Sequence, residues 1–438
     1  MHTIERKKRI MDKDYNSYEY KRSRGAYMAQ CTFEYFVSLL VADAFLAKLL
    51  SSIGISDALI GIISSFISMA FVIQIMSVFL IKVRVSTKKL VIVFDTVSQI
   101  FFMALYLVPF FPLGKTAKTV IIILSILIAY AGKYLIASIY FKWANSYVDP
   151  TKRASYSAVK EIISLILGII FTAVVGYVID KYESIGNLNG SFLFIAASML
   201  IINICNVVCL MMIKKEAPEE HSADNKPLCE VIKHTLGNKN FRNVIILAVL
   251  WDSARFFTIG FMGIFKTKDL LISVFAVQII NMIGNLARIT VSKAFGRYSD
   301  KNSFVKGFKL SLYFAAAAFF VNIFTSNSCR WLIVVYTILY NISMAGTNQN
   351  SFNIIYSYVE SEYITQAMAF KNSIGGICGF VASIAGGKIL SHVQANNNML
   401  FGINIYGQQL LSAISFLLVT AAIIFIKKTV EKQEILIQ

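Results

Sequence analysis

GRYSDKNSFVKG, residues 296–307, interrupts apolar sequence. Upstream runs LLISVFAVQIINMIGNLARITV (270–291), and downstream runs FKLSLYFAAAAFFVNIF (308–324). Runs of this kind approach the roughly 20 apolar residues that carry a helix across a ~30 Å hydrocarbon core. The interruption brings together Gly296, Asp300 and the bases Arg297, Lys301, Lys306 and Lys309. It reads as a short loop joining two membrane helices.

The same pattern recurs along the chain. It predicts twelve spans, at 27–50, 57–81, 90–112, 119–143, 160–180, 191–213, 243–265, 270–293, 308–325, 331–356, 367–391 and 404–426. Composition agrees: 57% of residues are hydrophobic and 15% charged, against about 25% charged in a soluble domain. The fold class expected is an all-α membrane protein of twelve transmembrane helices. In a soluble protein the net charge of +18 would suggest nucleic acid. Here it reads as orienting charge, and no nucleic-acid partner is expected. No cleaved signal is expected either, because the apolar run after the basic N-terminus is too long and no small-residue cleavage site follows. The cysteines stand at 31, 205, 209, 229, 329 and 378, four of them inside apolar runs and none at metal-ligand spacing. Disulfides, a metal site and a cofactor are therefore not expected.

Positive charge sets the sides. With the N-terminus inside, 32 of the 42 Lys and Arg fall on cytoplasmic segments and 8 on outer ends and loops; the other two, Lys133 and Arg255, fall mid-span. The expected organisation is a basic cytoplasmic tail (1–26), a six-helix bundle (27–213), a cytoplasmic linker (214–242), a second six-helix bundle (243–426) and a short cytoplasmic tail (427–438). PLCEVIKHTL (227–236), in the linker, reads as a short amphipathic surface helix.

The two halves share a signature. SYVD at 146–149 precedes Ala158 and Lys160, and SYVE at 357–360 precedes Ala369 and Lys371, at a constant offset of 211 residues. Parallel repeats of this kind, related by an axis along the membrane normal, are a transporter architecture.

The opening stretch now acquires a further meaning. Gly296, Asp300, Lys301 and Lys306 resemble the loop signature of the major facilitator superfamily, Gly-x-x-x-Asp-(Arg/Lys) followed by further bases. Gly lets helix ends approach closely, Asp can accept hydrogen bonds at a helix N-terminus, and the bases hold the loop in the cytoplasm. The matching first-half loop, IKVRVSTKK (81–89), keeps the bases but has no Gly or Asp. The motif reads primarily as a topology and packing device. Further stretches look like a group of Firmicute facilitators: Glu34-Tyr35, GISDALIGIISS (54–65), Gln99 to Pro109, NIIYSYV (353–359) and LFGINIYGQQLLSAIS (400–415). The resemblance implies two six-helix bundles, a transport function and residence in the plasma membrane.

It also implies that spans 1, 4, 7 and 10 line a central cavity. The costliest polar residues of the sequence lie on those spans: Glu34 and Asp43, Lys133, Asp252 and Arg255, then Asn341 and Asn348 on one helical face with Gln349 and Asn350 beside them. An ionisable side chain at mid-membrane costs on the order of 3 kcal/mol unless it faces partners or water. Each also has a structural reading. Asp252 and Arg255, at i and i+3, can neutralise each other. Lys133 can tie the halves together through Asp43 or Asp252. Glu34 can pair locally, and about 180° of helix separates it from Asp43. Asp95 on span 3 reads as structural. Among the aromatics, Tyr130, Tyr140, Trp251, Phe256 and Tyr340 lie on cavity-type spans, as stacking surfaces or as packing. Gly168, Gly176, Gly375, Gly376 and Gly379 on spans 5 and 11 suit close helix contacts.

The function expected is secondary transport of a small polar or amphipathic solute by alternating access, in a monomer. Asp43 or Asp252 is the candidate carrier of a coupling proton, with sodium left open as coupling ion. Organic-cation or multidrug efflux is the alternative. Primary ATP-driven transport finds no support, since there is no nucleotide-binding loop, and neither does a membrane-embedded enzyme: there is no HExxH or GxSxG, and the four His, at 2, 221, 234 and 392, lie outside the spans.

Overall fold

The computed structural model describes residues 15–73, 86–148, 153–214, 237–359, 364–400 and 403–433. Among them, nine helices are long and apolar enough to cross a membrane. The spans that depart from a long apolar helix do so for visible reasons. Span 1 is divided into Tyr18–Leu40 and Asp43–Ser52. Span 2 comprises Asp57–Ser64 and Phe66–Ile73 before its remainder leaves the described residues. Span 10, Leu332–Tyr356, carries the run Thr347, Asn348, Gln349 and Asn350.

The remaining helices follow the apolar runs. Span 3 is Thr87–Ala104 and tightens into Leu105–Phe110, which contains Pro109. Spans 4, 5 and 6 are Lys115–Asn145, Arg153–Ser184 and Leu188–Met212. Span 7 begins as Lys239–Thr258 and continues irregularly to Asp269. Spans 8 and 9 are Val274–Asn302 and Phe304–Ile323. Spans 11 and 12 are Ile364–Ala395 and Gly407–Lys428, joined through a two-residue β-pair, Met399–Leu400 with Ile403–Asn404. Span 5 shows why such helices need a membrane: Ile166, Ile170, Val174 and Tyr177 form an exposed apolar stripe at helical spacing.

The opening stretch is not a loop in the structure. The span 8 helix runs through Gly296 and Asp300 to Asn302, and the single residue Ser303 turns the chain into span 9. Ser303 caps that helix by accepting from Lys306 N–H at 3.1 Å. A Cβ on Gly296 would sit 3.6 Å from Gln349 Oε1, an ordinary contact. The tight glycine is Gly307, whose added Cβ would lie 2.0 Å from Ser299 Oγ. Asp300 is exposed and helical rather than capping a neighbour.

Each half has its own apolar core. One is centred on Leu40, Phe45, Tyr106, Ile122 and Phe192, the other on Phe241, Phe265, Leu312, Ile333 and Val419. The halves meet where span 2 packs on span 11 and span 5 on span 8. The repeat is expressed as matched anchors. Tyr147 O–H donates to the Lys214 carbonyl just past span 6, and Tyr358 O–H donates to the Val430 carbonyl just past span 12 (3.4 Å). The Tyr147 carbonyl accepts from Arg24 at 3.1 Å, and the Tyr358 carbonyl accepts from Asn238 at 3.0 Å. Asp149 and Glu360 of the signature lie outside the described residues, as does the surface helix read at 227–236.

Candidate functional site

Span 1 breaks at Val41 and Ala42 without a proline or glycine to mark the place. The cause is tertiary. A Cβ on Gly263 of span 7 would lie 2.5 Å from the Asp43 carbonyl oxygen, so the two chains touch backbone to backbone. Asp43 takes a left-handed φ of 45°, a region Asp tolerates better than most residues. It opens the second helix with its carboxylate at the favourable end of the helix dipole. Two separate helices have no common register, so the 180° relation between Glu34 and Asp43 does not apply.

Asp43 points at the other half. Its carboxylate accepts from Lys266 Nζ at 3.0 and 3.3 Å and from Asn281 Nδ2 at 2.8 Å. Lys266 also donates to Asn281 Oδ1 at 3.3 Å. A second junction lies nearby: Asp57 accepts from Lys268 at 2.8 and 2.9 Å and from Gln394 at 2.7 Å. At a third, the Asp180 oxygens accept from the first N–H groups of span 8, Val274 at 3.1 Å and Phe275 at 3.0 Å. All three junctions lie at the base-poor end of the bundle. Glycines let the seam close there: Cβ atoms on Gly61 and Gly260 would strike Phe261 at 1.9 Å and the Gly61 carbonyl at 2.4 Å.

Beneath this seam lies a cavity of about 210 Å³. Both halves line it: Tyr35 and Thr172 from the first; Gln278, Asn281, Asn285 and Asn341 from the second. Asn341 and Gly284 press spans 10 and 8 together, since a Cβ on Gly284 would meet Asn341 Nδ2 at 2.5 Å. The three span 8 amides stand at i, i+3 and i+7, one face of the helix. They belong to no span that the family resemblance had marked, yet a polar stripe inside an apolar run was a readable signal.

The other charges divide by half. Lys133 pairs with Glu34 at 2.8 Å, joining spans 4 and 1, and not with Asp43 or Asp252. It ties its own half together rather than the two halves. Asp252 and Arg255 pair at 3.2 Å within span 7, as the i,i+3 reading had it. Asp252 Oδ2 lies 2.2 Å from where a Gly375 Cβ would be, and Arg255 lies over the Phe256 ring at 4.6 Å. Tyr134 is within electrostatic reach of Lys133, Glu34 and Arg255. Asn348 is exposed, and Gln349 donates to the Ser292 carbonyl at 3.3 Å.

Two aromatic candidates prove to be packing. Trp251 is buried against Phe308, and Tyr130 stands edge-on to Phe102. Asp95 is buried beside Asn206, in keeping with its structural reading. Of the glycines, Gly176 serves the contact between halves, against the Phe275 backbone at 3.1 Å. Gly168, Gly375 and Gly379 instead admit Tyr35, Asp252 and Phe256 of their own halves.

The Major Facilitator Superfamily model matches residues 27–383. The chain belongs to the major facilitator superfamily. This facilitator is a multi-pass membrane protein and a transporter rather than an enzyme. No curated protein matches its sequence. Among solved structures, a mutant of the nucleoside transporter NupG superposes with a TM-score of 0.71 at 13% identity, over 93% of this chain and 99% of that one. A bacterial homologue of the human lysosomal transporter Spinster, inward-facing and unoccupied, gives 0.65 at 12% identity, over 96% and 98%. A bacterial homologue of the iron transporter ferroportin, at 12% identity, gives 0.64 when inward-facing (94% and 98%) and 0.55 when outward-facing with soaked iron (94% and 99%). At these identities the likeness is one of fold.

Proposed function

We propose that this facilitator moves a small polar or amphipathic solute across the plasma membrane by alternating access, with both termini in the cytoplasm. The observation that carries the reading is the cavity lined by both halves and sealed at one end by cross-half ion pairs. A site between two packed bodies opens to one side or the other as they rock. The better match to the inward-facing than to the outward-facing ferroportin homologue supports a cytoplasm-facing form. The resemblance to Firmicute facilitators rests on the stretches quoted above and names no solute. Cation efflux draws less support: Lys133 and Arg255 each satisfy a carboxylate within their own half, leaving the interior pairs neutral.

Single cysteines in a Cys-free variant test orientation. Lys115→Cys and Ser328→Cys should label from outside with an impermeant thiol reagent, and Ser86→Cys, Asn225→Cys and Ser303→Cys should not. Labelling of residue 225 in intact cells would refute the arrangement. Alternation is tested by joining Asp57→Cys to Lys268→Cys with a short cross-linker while reading Asn341→Cys. The cross-linked protein should label at 341 from the cytoplasmic side alone, and labelling from both sides would end the proposal. Asp43 and Asp252 are proposed as carriers of a coupling proton. If Asn variants at both leave pH-driven accumulation intact, Glu34 takes their place.

A further inference from the structure

The cavity beneath the seam has a composition of its own. Its polar lining is Tyr35, Thr172, Gln278, Asn281, Asn285 and Asn341, and it contains no carboxylate and no Lys, Arg or His. Of the charged side chains near it in the fold, Asp43 pairs with Lys266, Glu34 with Lys133 and Asp252 with Arg255, and Arg288 stands one turn past Asn285, outside the lining. From this we infer that the cavity is the binding site for an uncharged solute rich in both hydrogen-bond donors and acceptors, such as a sugar, a polyol or a nucleoside. The inference rests on the transport reading and deepens it by naming the solute class.

Three physical arguments lead there. First, amides present a donor and an acceptor each, and not all of these are spent. Gln278 is 6% exposed and makes no hydrogen bond among the described residues, and neither does Asn285. Asn341 spends its N–H on the Thr337 carbonyl at 2.9 Å, and its oxygen accepts no hydrogen bond among the described residues. Asn281 is committed to the seam. These amide atoms keep access to the cavity, and a solute that displaces water from them must supply the bonds that water made.

Second, the lining selects against the alternatives. A charged solute would surrender its hydration without meeting a counter-charge in the lining. An apolar solute would leave Gln278 and Asn285 unpaired, and sites built to hydrogen-bond reject analogues that cannot. Third, at about 210 Å³ the space is below the roughly 300–1,000 Å³ of sites for drug-sized ligands. That favours a small polar solute over a bulky organic cation.

The test uses the purified full-length protein and its thermal unfolding. Glucose, mannitol and uridine serve as uncharged probes, gluconate and uridine monophosphate as anionic ones, and tetraethylammonium as a cationic one. At least one uncharged probe should raise the melting temperature in a concentration-dependent way, since a ligand that binds only the folded state stabilises it by mass action. Gln278→Leu should weaken that probe's apparent Kd by roughly tenfold, the scale of one lost hydrogen bond. Its own unliganded melting temperature, read in the same scan, reports whether it folds; Asn285→Ala gives the same reading from an independent position. The inference is overturned if charged probes stabilise and uncharged ones do not, if no uncharged probe shifts the transition, or if both variants keep the wild-type shift. Those outcomes leave the cross-linking test of alternation untouched, so the two readings fail separately.

Discussion

The two halves of this facilitator carry the same scaffold and different interiors. Tyr147 and Tyr358 close the same bond to the end of their sixth helix, and Arg24 and Asn238 close the same bond to those tyrosine carbonyls. The third helix of each half is also tied to its sixth by a lysine: Lys88 donates to the Met211 and Ile213 carbonyls, and Lys309 pairs with Glu431 at 2.5 Å. The charged pairs diverge. Glu34 and Lys133 join two helices of the first half, whereas Asp252 and Arg255 lie on a single helix of the second. Lys160 lies over the Tyr27 ring at 4.5 Å, while its repeat mate Lys371 is buried on Ser351 Oγ at 2.8 Å. A duplicated fold keeps the contacts that hold helix ends in place and varies those that face the interior.

Breaking the interhelical pair should have the largest effect. Lys133→Ala leaves the Glu34 carboxylate without its cation between two helices. The expected loss is about 2–3 kcal/mol, below the 3–5 of a fully buried pair because the pair retains some exposure. Chemical denaturation should show it, and adding Glu34→Gln should recover most of it. If the double variant is no better than the single, the pair is not a unit.

The duplicated anchors give the next prediction. Tyr147→Phe and Tyr358→Phe each remove one hydrogen bond and should cost about 1 kcal/mol apiece. Their equality is the sharper test: a difference above about 1 kcal/mol would mean that the repeat is one of sequence and not of energetics. A smaller effect is expected at the intrahelical pair. Arg255→Ala with Asp252→Asn removes both charges of the pair together and should change stability by less than about 1 kcal/mol, because replacing a buried pair as a whole is often near neutral. A loss as large as that of Lys133→Ala would erase the distinction between the two interiors. Smallest of all is Lys371→Met. Replacing a buried lysine that has no carboxylate partner among the described residues by an apolar chain of similar length should be neutral or slightly stabilising.

How much of this the sequence disclosed depends on the distance over which each feature is decided. The spans, the repeat and the Asp252–Arg255 pair are local, and apolar runs and i,i+3 spacing reveal them. The polar stripe Gln278, Asn281 and Asn285 is equally local. The spans that the family resemblance marks are 1, 4, 7 and 10, and span 8 is not among them. The seam was out of reach. Lys266 and Lys268 read as ordinary outer charges because their partners, Asp43 and Asp57, lie more than two hundred residues earlier in the chain. The break before Asp43 was hidden for the same reason, since the glycine that presses on it belongs to span 7.

One property of that seam reaches beyond packing. Its carboxylates, Asp43, Asp57 and Asp180, all belong to the first half; Lys266, Lys268, Asn281, Gln394 and the N–H groups of Val274 and Phe275, which face them, all belong to the second. The closed seam is therefore a charged double layer at these junctions, with Asp269 of the second half, which accepts from Gln408, as the acidic exception near Asp57. Rocking the halves apart would separate a negative wall from a positive one, and the work of doing so would depend on the ions in the water that enters. With a Debye length of about 8 Å at physiological salt, a few ångströms of opening is still resisted by attraction, and a wider cleft is largely screened. The electrolyte on that face would thus become a setting for how often the gate opens.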